Sequence, residues 1–511
     1  MSAQPDVIIV GGGTAGSIIA RRLLDAGKTV HLLEAGRPDE NPAIHDMSRL
    51  GELWFSPDDW GYHTTPQAGA NGRKLHWPRG RVLGGSHSLN ASIYVRGNRL
   101  DYDDWEAAGC TGWGWKSVEK IFTDKIENWQ GAPDEHGTKG LLDVTTDYPK
   151  HPVQDSILEA GVAAGLKLNP NYNGVEIEGI GQEQLNFRNG ERLSTYRAYL
   201  HPVRDNANLT ITTGAWVHRL IIEGKTVVGV VYEKDGQTHE LRGGEVVLAG
   251  GALDSPRVLL LSGIGPKADL EALGIDVVAD IPGVGANLHD HLIVPVVYTT
   301  SKKPVGAPPA GVPITQVHWF WKSRPELDRP DTQPLAFTVP MVTDTMKPEE
   351  VPTDGFTLFA GLVTPKSRGT FKLSSSDPHA ATLQDPQILT HPDDIATLVA
   401  SMKQVREVGK QAALAEAWGA TEAAMSADHQ SDEQIEFWCR NNAITYHHQV
   451  GTAKMGTDPM AVVSPTSLKV HGLEGVRVAD ASVMPKITNG NTNAPSMIIG
   501  EKAAEFIIAG A

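Results

Sequence analysis

Cysteine is nearly missing from this 511-residue chain: only Cys110 and Cys439 occur. A disulfide framework and a cysteine-rich metal site are therefore excluded, and one bridge is the most that two thiols could form. Sparse cysteine suits a reducing compartment. Positive charge is also short, with 45 Lys and Arg against 61 Asp and Glu and a formal net charge of −16. Neutralising a phosphate backbone takes a basic face, so no nucleic-acid partner is expected. An anionic membrane surface is disfavoured on the same ground. No apolar run approaches the roughly 20 residues that a membrane helix needs. Residues 1–6 carry no basic segment and run straight into a strand pattern, which predicts no signal peptide. These absences predict a soluble, cytoplasmic protein with no membrane partner. What is abundant is backbone punctuation, 53 Gly and 33 Pro, which predicts many turns and close backbone approaches. The length exceeds one ordinary core, so two domains are expected.

Asp6–Val10 is a short apolar run of the kind that forms a buried parallel strand. Gly11-Gly12-Gly13-Thr14-Ala15-Gly16 follows at once. Ser17–Ala26 then shows helical periodicity, Gly27 ends it, and Thr29–Leu33 reads as a second strand closing on Glu34. This is a βαβ unit with G-x-G-x-x-G at Gly11, Gly13 and Gly16. Gly11 permits the tight turn, Gly13 lets a pyrophosphate approach the backbone, and Gly16 lets helix and strand pack closely. The helix N-terminus offers free N–H groups to the phosphates. Glu34, 21 residues after Gly13, can accept both ribose hydroxyls and would repel a 2′-phosphate, so NADP is disfavoured. The unit alone does not separate FAD from NAD.

Further strand patterns fall at Leu209–Thr213, Trp216–Ile222, Thr226–Glu233 and Glu245–Ala249, with helix patterns near Trp115 to Trp129 and at Pro392–Leu414. Residues 292 to 464 alternate strand patterns with Pro-rich turns. Glycine-rich turns recur near 84, 250, 285 and 490, which predicts a discontinuous nucleotide domain of residues 1–100, 200–291 and 465–511. A substrate domain of residues 101–199 and 292–464 is inserted into it. The expected fold class is α/β, α+β overall: a Rossmann-like cofactor domain beside a discontinuous substrate domain built on an antiparallel sheet.

Five blocks carry a resemblance. They are Gly80-Arg81-Val82-Leu83-Gly84-Gly85-Ser86-His87-Ser88-Leu89-Asn90 with Tyr94 and Gly97; Gly251 to Gly265; Pro282 to His291; Tyr446-His447-His448-Gln449-Val450-Gly451-Thr452; and Asp480 to Pro495. Together, and in this order, they resemble the signatures of the glucose-methanol-choline (GMC) oxidoreductases. The resemblance implies FAD, a two-domain fold and oxidation of an alcohol by an oxidase or dehydrogenase. It further implies that Gly11, Gly13, Thr14, Ala15, Gly16, Glu34 and Ala35 hold the ADP portion and that Val217 offers its backbone to the adenine. Val82, Gly85, Asn90, Ala91, Ser92 and Ile93 would run along the diphosphate and isoalloxazine. Ala481, Asn493 and Pro495 would meet the ribityl chain and pyrimidine edge. Some choline oxidases of this family tether FAD through a His directly before the Asn of the first block. That position is Leu89, which cannot bond a flavin, so FAD is expected to be non-covalent. His87 stands two positions earlier, where the family usually has a small residue.

Oxidising an alcohol means removing a hydroxyl proton and a hydride from one carbinol group, the hydride passing to flavin N5. The protein must supply a base and a donor for the developing alkoxide, and a neutral imidazole suits the base. By the resemblance, His448 is that base and Asn491 takes the family's second catalytic position. Asn can donate but cannot accept the proton, so His448 would act alone. His447 is placed either at the substrate or in plain packing, because side chains alternate if the segment is extended. A small primary alcohol, aryl or heteroaryl among the options, is the expected substrate, with oxygen or a dye- or quinone-like acceptor. A hydroxynitrile lyase that binds FAD without net redox is the alternative, and an NAD-dependent dehydrogenase a third.

No metal site is expected, since His289-Asp290-His291 and His447-His448 fit no standard ligand spacing. His318-Trp319-Phe320-Trp321 reads as a half-buried strand, with an aromatic pocket wall as the alternative. Trp113, Trp115, Trp54 and Phe55 read as core or flavin-side packing rather than substrate contacts, and Asp101–Glu106 as a solvated helix face.

Overall fold

Val7–Val10 (β1), Val30–Glu34 (β2), Leu209–Thr213 (β3), Glu245–Leu248 (β4) and Val476–Val478 (β5) form one parallel sheet in the order β3-β2-β1-β4-β5. β1 and β4 carry almost nothing but Val, Ile and Leu, because helices cover both faces of such a sheet. Helix α1, Thr14–Asp25, crosses from β1 to β2. Its residues Ile18, Ile19 and Leu23 are fully buried. The C-terminal helix α2, Asn493–Ala509, packs on α1, and a Cβ on Gly500 would lie 3.1 Å from the Ala15 backbone. This is a computed structural model, and it describes residues 4–129 and 135–511. Met1–Ala3, part of the N-terminal stretch read above, lie outside the described residues.

A three-stranded antiparallel meander, Trp216–Glu223, Thr226–Lys234 and Gln237–Arg242, follows β3. A second sheet of seven strands is antiparallel throughout. Its central strand, Leu292–Thr300, pairs with Phe356–Leu362 on one side and with Ala420–Glu422 and Ile444–Thr445 on the other. Beyond Phe356–Leu362 lie Leu335–Phe337, Thr315–Phe320 and Gly179–Gln182. The expected α/β class, with a Rossmann-like sheet beside an antiparallel one, is the architecture observed. Among the described residues no helix is long and apolar enough to cross a membrane. Cys110 and Cys439 are both buried and free, so the bridge that two thiols could have formed is not made.

Several local expectations change. The helix from Trp115 stops at Ile121 and widens into a π-turn over Phe122–Ile126, and the residue that follows, Glu127, is held in a buried ion pair with Arg96 at 2.5 Å. The Pro392 helix ends at Gly409, and Ala412–Ala415 is a separate turn. Thr315–Phe320 is buried along its whole length rather than half-buried, flanked on both sides by strands. Asp101 is not solvated: it is 2% exposed, pairs with Arg329 at 3.0 Å and accepts from the Asn489 N–H at 2.7 Å. Phe55, read as packing, is 72% exposed, at a left-handed φ of 61°.

Candidate active site

One continuous cavity runs from the turn after β1 to the paired histidines near the C-terminus. Gly11, Gly13, Thr14, Ala15, Glu34 and Ala35 line its first end, and Val217 flanks it. Gly85, Asn90, Ala91 and Ile93 line the middle with Ala481 and Asn493, and His447, His448 and Asn491 line the far end. Four of the expected cofactor residues do not reach the wall. Gly16 is a packing position, where a Cβ would lie 2.0 Å from the Gly11 carbonyl oxygen. Val82 belongs to the core with Leu89. Ser92 Oγ accepts from Arg192 at 3.1 Å. Pro495 is buried in the first turn of α2.

The first end fits a dinucleotide. Gly13 caps α1 with no side-chain hydrogen bond, which leaves the first-turn N–H groups open to an anion. Gly85 comes so close that a Cβ there would lie 2.8 Å from Gly13 Cα, so two bare backbones meet side by side in the cavity wall. Glu34 accepts from the Gly12 and Gly36 N–H groups, each at 2.8 Å. Burial pushes its pKa up to about 7, against the pull of those two donors.

His87 does not line the cavity. Its Nδ1 takes the Thr195 N–H at 3.1 Å and lies 3.1 Å from Asn493 Nδ2. Asn493 Oδ1 accepts in turn from the Thr14 hydroxyl at 2.7 Å. The imidazole thus ties the glycine turn to the start of α2. Burial, with Arg192 nearby, lowers its pKa to about 3.

At the far end, Ile444–Thr445 pairs with Leu292 and Ile293, and the Tyr446 N–H donates to the His291 carbonyl at 2.9 Å. That register sets His291 Nδ1 3.1 Å from His448 Nδ1. Asp290 pins the turn, accepting from the His448 N–H at 2.8 Å and the Gln449 amide at 2.7 Å. On the other edge of the ring, His448 Nε2 lies 3.3 Å from Asn491 Nδ2. Gln333 Nε2 donates to Asn491 Oδ1 at 3.0 Å, so the Asn491 amide turns its N–H toward His448. His448 Nε2 is therefore the acceptor, and its Nδ1–H donates to His291. Tyr446 stacks on the imidazole with 4.9 Å between centroids. Burial, reinforced by His291, His447 and Arg79, holds the His448 pKa well below the ordinary imidazole value. The ring is a neutral, oriented acceptor.

His447 shares the cavity with His448 because the segment is not extended: its φ is 67°, which breaks strand alternation. Its ring sits 4.9 Å from that of Trp54, which also lines the cavity. Leu335, Phe337, Met341, Phe359 and Ile444 complete this apolar end. The His318–Trp321 run is not part of it. His289 is structural, its Nδ1 2.6 Å from the Asn287 carbonyl and its Nε2 accepting from the Ile487 N–H at 2.9 Å. Sequence reasoning missed His291 and Gln333. The first stood in a quoted block without an assigned partner. The second is one amide in a Pro-rich stretch and leaves no local signal.

A parallel nucleotide sheet whose cavity ends on a neutral, oriented imidazole is the arrangement of a dinucleotide-dependent oxidoreductase. Comparison with known proteins narrows this. The chain matches the description "GMC oxidoreductase" over residues 5–293 and again over 365–500. It is 38% identical to an alcohol dehydrogenase [acceptor] of Pseudomonas putida, covering 98% of this chain and 95% of that one. It is 37% identical to the mitochondrial choline dehydrogenase of Homo sapiens, covering 98% and 89%. The crystal structure of pyridoxine 4-oxidase from Mesorbium loti superimposes with a TM-score of 0.92 at 32% identity, covering 98% of this chain and 99% of that one. The chain belongs to the GMC oxidoreductase family.

Proposed function

We propose that this protein oxidises a neutral, apolar or aryl primary alcohol to the aldehyde with FAD held non-covalently. The observation that carries the reading is the His448 Nε2–Asn491 Nδ2 pair, 3.3 Å apart, at the end of the cavity that begins at the Gly11–Gly16 turn. Bound FAD supplies the two-electron acceptor for the carbinol hydrogen. His448 Nε2 takes the hydroxyl proton, and the Asn491 N–H holds the oxygen as negative charge develops. His291 keeps the His448 ring in the tautomer with Nε2 free, and Gln333 keeps the amide from flipping. His447 and Trp54 border the substrate.

The substrate class follows from what the wall offers. Trp54, Leu335, Phe337, Met341, Phe359 and Ile444 are apolar, and the cavity's carboxylates, Glu34, Asp254 and Asp480, belong to its other regions. Asp480 is occupied by the Ser255 hydroxyl and the Gly251 N–H. Among the described residues no carboxylate lines the cavity beside His448, and Asp290, which accepts from the His448 N–H, is not in the wall; this favours a neutral alcohol over a quaternary ammonium. The test is a panel of benzylic, heteroaryl, aliphatic and choline-like alcohols, each run with oxygen and with a dye. Aryl alcohols should give the highest kcat/KM and should bleach the flavin anaerobically. Preference for choline would overturn the substrate class, and failure of every alcohol to bleach the flavin would point to a lyase.

Two cofactor results are expected. Acid precipitation should leave all flavin in the supernatant, since Leu89 offers no bond and His87 is occupied away from the cavity; flavin in the pellet would contradict this. Glu34→Ala should raise the dissociation constant for FAD while the reconstituted variant keeps near-parental flavin reduction. Equilibrium dialysis checks it, and unchanged FAD affinity would remove the ribose role.

A further inference from the structure

We propose a divalent transition-metal site formed by His218, Glu233 and His379, none of which lines the catalytic cavity. In the meander, Trp216 faces Glu233, Val217 faces Tyr232 and Arg219 faces Val231. His218 is the extra residue of a β-bulge, a feature that re-aims a side chain. Its Nε2 is buried, makes no hydrogen bond, and lies 3.9 Å from Glu233 Oε2. His379 arrives from elsewhere, in the loop between the short strands Thr370–Lys372 and Leu383–Asp385. The Asp377 carboxylate fixes that turn by accepting the His379 N–H at 2.9 Å, and His379 Nε2 lies 3.0 Å from Glu233 Oε2. All three donor atoms fall within 4.8 Å of one another.

Bond lengths of about 2.0–2.1 Å in a tetrahedral zinc site set ligand atoms roughly 3.3 Å apart. Small side-chain adjustments would bring these three to that spacing. Two imidazoles and one carboxylate form a borderline donor set, suited to Zn²⁺ and its first-row neighbours rather than to Ca²⁺ or Mg²⁺. The half-exposed His379 leaves the fourth position open to water. A surface ion pair of His379 with Glu233 accounts for only two of the three groups and leaves the buried His218 nitrogen without a partner. The nearby cation, Arg257, is already matched by Asp254 at 2.6 Å and stacked over Trp216. Trp216 lies 5.2 Å from both histidine rings and lines the cavity. The ion would therefore clip the 373–382 loop onto the meander that walls the nucleotide end.

The experiment uses the tag-free, full-length holoenzyme, stripped with EDTA, desalted and titrated with Zn²⁺ by calorimetry and elemental analysis. One Zn²⁺ per chain is expected, with a rise in Tm. Loss of even an outer-shell partner typically costs 10–100-fold in affinity, so His379→Ala and Glu233→Gln should each weaken binding at least about tenfold and abolish the Tm rise. His379→Ala, on an exposed loop, should fold and turn over normally without added metal. Absence of a stoichiometric site in the parent, or parental affinity in His379→Ala, would overturn the proposal.

Discussion

Replacing His448 by alanine should slow anaerobic flavin reduction by about 10²–10⁴-fold, the range for loss of a positioned general base. Asn491 cannot take a proton, and the other imidazole at this end of the cavity, His447, has its ring against Trp54 rather than hydrogen-bonded to Asn491. FAD content should survive, because His448 lies at the far end of the cavity from the glycine turn. Stopped-flow reduction under excess alcohol checks the rate, and near-parental reduction would remove His448 from the mechanism. The parent should also show a distinctive pH profile. The base acts only when neutral, so the rate falls as pH drops through the folded pKa of His448. Burial, with His291, His447 and Arg79 beside the ring, lowers that pKa, so the fall should begin below the ordinary imidazole range. A midpoint at or above 6.5 would contradict the environment described.

Asn491→Ala should cost less, about 10²-fold in flavin reduction, because it removes one oriented donor and no proton acceptor. The loss should appear in kcat more than in KM, since the N–H meets charge that develops only as the proton leaves. The donor is well fixed. Its oxygen is held by Gln333, and Asn489 two residues earlier is anchored by Asp101 and by the Pro330 carbonyl at 2.7 Å. A change confined to KM would make Asn491 a binding residue and leave alkoxide stabilisation unexplained.

The nucleotide end was legible in the sequence because its demands are local. A strand, a turn that tolerates no Cβ, and a helix start must follow one another within about thirty residues, and Val7 to Glu34 carries that order in its residue types. His448 and Asn491 were legible as candidates because their blocks resemble a family's. Contacts between distant segments were not. Whether His447 faces the cavity depends on a left-handed turn at a non-glycine residue, which composition does not announce. The burial of Asp101 depends on Arg329 and Asn489, far along the chain.

The residues by themselves determined the βαβ unit and the absence of a disulfide framework, and only their resemblance to a family singled out His448 as the proposed base. Only the tertiary structure decided what makes that imidazole usable: His291 to fix its tautomer, Gln333 to orient its partner amide, and an apolar wall gathered from Trp54, Phe337 and Phe359. The reason is register. His291 meets His448 across 157 residues of chain because Leu292 and Ile293 pair with Thr445 and Ile444. A one-residue slip would turn those side chains to the opposite face.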